Sequence, residues 1–225
     1  AIRLTTAAGE EEVPSFSPDG RHVAFVRGHN LHVVDTITAR ERALTTDGAD
    51  QILNGVLDWV YEEEIYGRGQ RRGYWWSPDS SRIAFLRTDD TPVPTYVVAD
   101  DIPYDQIVER WKYPKAGDPN PVVTLGVAAL GGEAVRWVDL TAYPDGDRLV
   151  VGVAWTADSR RLIYEVQNRL QNRLDVHLLD PASGDARRLL QETSRTWVSA
   201  VDLATLTWLA DGSFLWLSER SGWQH

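Results

Sequence analysis

Three consecutive carboxylates, Glu62-Glu63-Glu64, are the densest concentration of chemistry in this sequence. They lie in Asp58-Trp59-Val60-Tyr61-Glu62-Glu63-Glu64-Ile65-Tyr66-Gly67, a stretch with no Gly or Pro until its end. Adjacent acids repel one another, so something positive must relieve the repulsion. Two sources are open. Arg68, Arg71 and Arg72 follow directly and would make the run a solvated acidic surface. A cation carried by a ligand would make Glu62, Glu63 and Glu64 a docking site.

The spacing around the acids predicts the element that holds them. Leu57, Val60, Tyr61 and Ile65 fall on one helical face. Asp58 stands where an N-terminal cap belongs, and Gly67 stands where a helix stops. A short helix is therefore expected. At about 100° per residue, Glu62 and Glu63 turn away from the apolar stripe and Glu64 falls within it. A carboxylate on a half-buried face needs a cation or hydrogen-bond donors, or it takes up a proton.

Other chemistries find little support. The chain has no cysteine, which excludes disulfides and thiolate metal sites. His22, His29, His32, His177 and His225 show no metal-ligand spacing, and neither a metal nor a cofactor is expected. No Gly-x-Ser-x-Gly nucleophile elbow occurs, so no catalytic residue is assigned within the chain. Gly67-Arg68-Gly69-Gln70-Arg71-Arg72-Gly73 is a near miss to a dinucleotide loop, with the wrong spacing and no βαβ unit around it. It reads as a flexible return to the strand at Tyr74-Trp75-Trp76. Thirty-three acids against twenty-three bases give a net charge of -10, which argues against a nucleic-acid groove. No run of apolar residues is long enough to predict a membrane-spanning helix. With 43% hydrophobic and 25% charged residues, the 225-residue chain has a folded, globular composition.

The elements that must carry the acids form a repeat. Ser17-Pro18-Asp19-Gly20, Ser77-Pro78-Asp79-Ser80, Thr156-Ala157-Asp158-Ser159 and Leu209-Ala210-Asp211-Gly212 each follow an aromatic residue and lead into an apolar strand. The first copy continues into Asn30–Asp35 and Glu41–Thr46. The third continues into Asp175–Asp180 and Ala186–Leu190. Four short strands per unit, repeated, predict an all-β chain of propeller blades. The aspartates are spaced by 60, 79 and 53 residues, whereas a bare blade needs about 40–50. The surplus predicts two insertions, near Gly48 to Gly73 and between Thr88 and Val135. Insertions in repeat proteins tend to carry function. Trp76, Trp155 and Trp208 hold equivalent positions and read as blade packing, and Trp59 as packing for the helix. Four turns do not close a ring. The chain is expected to be an internal piece of a longer protein whose other blades cover its edges.

Asp58-Trp59-Val60-Tyr61-Glu62-Glu63-Glu64 resembles the signature of the dipeptidyl peptidase IV family, serine peptidases with an N-terminal propeller and a C-terminal α/β-hydrolase domain. Trp75-Trp76-Ser77-Pro78, Asp90-Thr91-Pro92-Val93-Pro94 and Tyr113-Pro114-Lys115-Ala116-Gly117-Asp118-Pro119-Asn120-Pro121 fit the same family in the same order. The resemblance, closest to bacterial members, covers most of the chain. It implies that residues 1–225 are part of an eight-bladed propeller domain and that the hydrolase domain with its catalytic triad lies outside them. It implies that Glu63 and Glu64 bind the free N-terminus of a peptide substrate, with Glu62 in support. It implies release of N-terminal dipeptides with Pro or Ala second, a periplasmic location and a homodimer approached through Asp101 to Tyr113. The arginine with which the family holds a substrate carbonyl precedes the matched region in related sequences, so Arg68, Arg71 and Arg72 do not inherit that role. Mammalian relatives carry disulfides in the propeller, which this cysteine-free chain lacks. The competing class is a non-catalytic propeller that binds proteins and carries the acids as a surface patch.

Overall fold

Each repeat opens on a turn whose hydrogen bonds explain its composition. The hydroxyls of Ser17, Ser77 and Thr156 donate to the aspartate two residues on, each at 2.6 Å. The Asp79 and Asp158 carboxylates then accept the backbone N–H of Ser81 and Arg160 at 3.0 Å. Gly20, Ser80, Ser159 and Gly212 occupy the same place in the turn, and all four have positive φ, between 60° and 82°. Gly carries no Cβ penalty in this left-handed backbone, whereas Ser80 and Ser159 use their hydroxyls to accept the Asp19 and Asp79 N–H groups.

The computed structural model describes residues 2–203, 206–209 and 211–225. Ala1, residues 204–205 and Ala210 of the fourth turn lie outside the described residues. The first turn leads from β1 (Glu12–Phe16) into β2 (His22–Arg27), followed by β3 (Asn30–Asp35) and β4 (Glu41–Ala43). They form one antiparallel sheet in chain order. β5 (Ile52–Asn54) precedes the π-helical turn Tyr61–Ile65, and β6 (Tyr74–Trp76) follows it. β7 (Arg82–Asp89), β8 (Thr95–Asp100), β9 (Ile107–Lys112), β10 (Val122–Ala129) and β11 (Arg136–Trp137) come next. The second sheet has the order β11-β10-β7-β5, with β6 also against β7. β12 (Arg148–Trp155), β13 (Leu162–Asn168), β14 (Arg173–Leu179) and β15 (Ala186–Thr193) form the third sheet, again in chain order. β16 (Thr207–Trp208) and β17 (Phe214–Leu215) pair at the fourth turn. Short antiparallel sheets, two of them in simple chain order, are the units of a propeller, and the all-β, partial-propeller expectation holds.

The chain divides into two compact units. One comprises 1–16, 20–74 and 86–123; the other comprises 17–19, 75–85 and 124–225. The first unit buries Ala24, Phe25 and Val26 of β2 with Leu31, Val33 and Val34 of β3. Consecutive buried residues in a strand mean that both sheet faces are covered. The second unit buries Leu162, Ile163, Tyr164 and Val166 of β13 with Leu174 and Val176 of β14. Gly126 in β10 is required by close approach, since a Cβ there would meet the Phe85 and Trp137 rings at 2.9 Å. Trp155 donates its indole N–H to the Trp75 carbonyl at 3.0 Å, and the Trp208 ring lies 5.3 Å from that of Phe214. Both tryptophans pack blades, as their repeat positions predict.

The two insertions take different forms. The first contains β5 and the acidic turn. The second contains the β8–β9 hairpin, whose register pairs Tyr96 with Trp111 and Val98 with Glu109. Its strand residues are exposed except for Lys112. The segment after the turn is no loose return. Arg72 bridges Val56, Leu57 N–H donates to Arg71 O at 2.8 Å, and Gly73 N–H donates to Gly55 O at 3.0 Å. The chain therefore leaves the acidic turn alongside the strand by which it entered.

Candidate functional site

Asp58 starts the acidic turn as its position predicts. Its carboxylate accepts the backbone N–H groups of Val60 at 2.9 Å and Tyr61 at 3.3 Å. Such a cap satisfies donors that the first helical turn leaves without partners and contributes about 1 kcal/mol. Leu57, Val60 and Tyr61 are buried and anchor the turn from below. Trp59 lies against Tyr113, with ring centroids 4.4 Å apart. The tryptophan thus packs on the base of the β8–β9 hairpin. Glu62 N–H donates to Asp58 O at 2.9 Å in α-helical fashion, but Tyr66 N–H reaches five residues back to Tyr61 O at 2.8 Å. The wider loop is a π-turn. Gly67, at φ +98°, ends it.

The extra residue in the turn changes which acids face inward. A regular helix would place Glu64 within the apolar stripe. In the π-turn Glu64 is exposed and Glu62 and Glu63 are half-buried. Arg68 donates through Nε to Glu63 Oε2 at 2.9 Å. Arg71 lies 3.6 Å from Glu62 and 2.5 Å from Glu12. The Arg68 pKa is raised chiefly by its hydrogen bond to Glu63, with Glu64 adding to the field. The downstream arginines therefore do relieve the acidic repulsion. Arg72 instead lies over the Tyr74 ring, 5.7 Å from its centroid.

A second layer of carboxyl groups lies below the turn. Asp58 is 6% exposed, and burial pushes its pKa up to about 6 against the two backbone hydrogen bonds that favour its charge. Asp90 is 4% exposed, and its Oδ1 has no hydrogen-bond partner among the described residues. Burial and the nearby Asp58 charge push its pKa up to about 7, while Lys112 pulls the other way. Lys112 donates to Val93 O at 2.7 Å. Sequence reasoning gave Asp58 its capping position and did not single out Asp90. The only available signal was the Asp90-Thr91-Pro92 turn cluster.

The histidines take local partners. His29 Nδ1 lies 2.7 Å from Ala49 O, His32 Nδ1 3.1 Å from Glu41, and His177 Nε2 2.6 Å from the Tyr143 hydroxyl. His22 is 4.0 Å from Asp35, and His225 Nδ1 is 2.8 Å from Trp223 O. They do not converge on the acidic turn.

Comparison with known proteins bears on the whole chain. The profile of the family described as the dipeptidyl peptidase IV (DPP IV) N-terminal region matches residues 1–225. The chain is 32% identical over 234 residues to an Emericella nidulans protein named "Probable dipeptidyl peptidase 4", covering 96% of this chain and 30% of the relative. It is 30% identical over 235 residues to "Dipeptidyl peptidase 4" of Trichophyton tonsurans, covering 97% of this chain and 29% of the relative. The crystal structure of Porphyromonas gingivalis dipeptidyl peptidase 4 superposes with a TM-score of 0.87 at 33% identity, over 99% of this chain and 31% of that one. The chain thus spans about 30% of the length of these relatives. With its full length matched and its sheets superposed, the chain belongs to the family of the dipeptidyl peptidase IV N-terminal region.

Proposed function

We propose that this chain is the substrate-gating propeller portion of a serine exopeptidase that releases N-terminal X-Pro or X-Ala dipeptides. Glu63 and Glu64 bind the substrate's free α-amine, and Glu62 supports them. The observation that supports this reading is the match of residues 1–225 to the dipeptidyl peptidase IV N-terminal region, and the Arg68–Glu63 pair at 2.9 Å is consistent with a turn whose carboxylates can take a cation. The cap from Asp58, the buried Val60 and Tyr61, and the Gly67 stop give the turn a fixed shape. The catalytic groups belong to an α/β-hydrolase domain outside residues 1–225, with the remaining blades completing the propeller. The parent acts as a periplasmic homodimer.

The chemistry follows from the amine. A peptide α-amine has a pKa of about 7.7–8.0 and is mostly charged at neutral pH. An ammonium offers three donors, and two carboxylates take two of them in charge-assisted bonds. Each such bond contributes about 1.5–3 kcal/mol net. An N-acylated peptide has lost the charge and leaves both acids unpaired, so the pair discriminates against it. The pair also measures length. Two extended residues span at most about 7 Å, which presents the second peptide bond to a nucleophile placed that far from the acids.

The test is hydrolysis of a Gly-Pro chromogenic substrate and its N-acetyl form by the full-length enzyme. The free-amine form is expected to be cleaved about a hundredfold or more faster at low substrate concentration. Glu63→Ala and Glu64→Ala are each expected to lower kcat/KM about ten- to a hundredfold on the free-amine substrate. Equal cleavage of both forms, or full activity in both variants, would sink the amine-binding role. Cleavage of neither form would leave a non-catalytic binding propeller as the better reading.

A further inference from the structure

Arg68 has an unusual position relative to the acids. It is the residue after Gly67, which stops the turn, and the positive φ of that glycine, +98°, folds the chain back. The guanidinium then lies on the acids it has just followed, with Nε 2.9 Å from Glu63 Oε2. Its electrostatic partners are Glu63 first and Glu64 second, the two residues proposed to bind the substrate amine. Arg71, by contrast, is placed at Glu62 and Glu12. The Arg68 side chain is 87% exposed whereas that of Glu63 is 23% exposed. The acid is largely covered and the cation stands in solvent. Among the described residues nothing lies within 4 Å of a would-be Cβ on Gly67, so the corner from which Arg68 extends faces open space.

We propose that Arg68 is an intramolecular stand-in for the substrate's amine: it occupies Glu63 in the free enzyme and must swing away before a peptide N-terminus can bind. The inference rests on the amine-binding role of Glu63 and Glu64 and adds a competitor to it. The competition is weak by design of the site. An exposed ion pair holds little net free energy, because both charges are well solvated when apart. An ammonium that brings the rest of a bound peptide with it displaces such a pair readily. The stand-in neutralises the acidic turn between turnovers and sets a threshold against small, weakly held cations. The displaced guanidinium moves into solvent without leaving a buried group unpaired.

The experiment measures KM and kcat of the full-length enzyme on the Gly-Pro substrate for wild type, Arg68→Ala, Arg68→Lys, Glu63→Ala and the double variant Arg68→Ala/Glu63→Ala. Arg68→Ala is expected to lower KM about two- to fivefold with kcat unchanged. Arg68→Lys, which keeps a cation on a flexible stem, is expected to stay near wild type. In the Glu63→Ala background the gain from removing Arg68 is expected to vanish, because the contact it competes for is gone. An unchanged or raised KM in Arg68→Ala would overturn the stand-in role and make Arg68 neutral or a support for Glu63. A gain that persists without Glu63 would overturn it as well. Failure of Glu63→Ala to raise KM would be a separate result, directed at the amine site itself.

Discussion

Glu165 in β13 has 0% of its surface exposed, and its Oε2 has no hydrogen-bond partner among the described residues. Oε1 accepts the Val201 N–H at 3.3 Å, and a Cβ on Gly152 would come within 2.4 Å of Oε2. Burial pushes its pKa from 4.5 up to about 8, with the Asp202 charge adding to the shift. A carboxyl whose pKa is raised by folding is neutral in the native state at pH values where the unfolded chain has released its proton. Its contribution is therefore full below pH 4.5 and is lost as pH rises through about 8. Glu165→Gln keeps the shape without the charge. Its urea-denaturation stability is expected to gain on wild type steadily from pH 5 to pH 8, and parallel curves would refute the assignment. The acidic triplet was legible from sequence because its members are neighbours in the chain. Glu165 and Asp90 were not, because the groups that act on them, Val201 and Asp202 for one and Asp58 and Lys112 for the other, are far away along the chain.

At the scale of elements, the strands were legible because one turn grammar recurs. A hydroxyl two residues before an aspartate, then a small residue at positive φ, marks the opening of a blade at each of Ser17, Ser77 and Thr156. The acidic turn was legible as helical, with its cap and its stop, but not as a π-turn. That choice depends on Tyr66 reaching back to Tyr61 and on Leu57 pairing with Arg71. The second contact requires the returning chain to be in place, and helical spacing alone encodes neither. Gly67 is the test of how firmly the turn is held. At φ +98° with open space around it, Gly67→Ala meets backbone strain and no clash. A loss of about 1 kcal/mol is expected in denaturant unfolding. No loss would mean that the chain leaves the turn by another route.

For the whole molecule, the β8–β9 hairpin is the most conspicuous surface feature. Tyr96, Val97, Val98, Ile107, Val108 and Trp111 are each 43% to 55% exposed. Exposed apolar side chains on both strands of a hairpin are the kind of patch through which proteins associate. The proposed homodimer contact falls there. Trp111→Ala in the full-length protein is expected to shift sedimentation toward the monomer, and an unchanged coefficient would place the contact elsewhere. The hairpin was visible in sequence only as surplus length between two turns, since exposed strands leave no alternating pattern of burial.

The blade turns also speak to one another. Asp19 N–H donates to the Ser80 hydroxyl at 3.1 Å, and Asp79 N–H donates to the Ser159 hydroxyl at 2.9 Å. The first turn gives a donor forward, the third takes one from behind, and the second does both. Ser80 and Ser159 can receive; Gly20 and Gly212, in the same place of their own turns, have no hydroxyl to offer. The copies look interchangeable by their strands and are not interchangeable by this atom. Grafting the first turn onto the second blade would strand the amide of Asp19 while leaving every strand intact. At these two junctions a single hydroxyl oxygen makes one copy of the turn different from another.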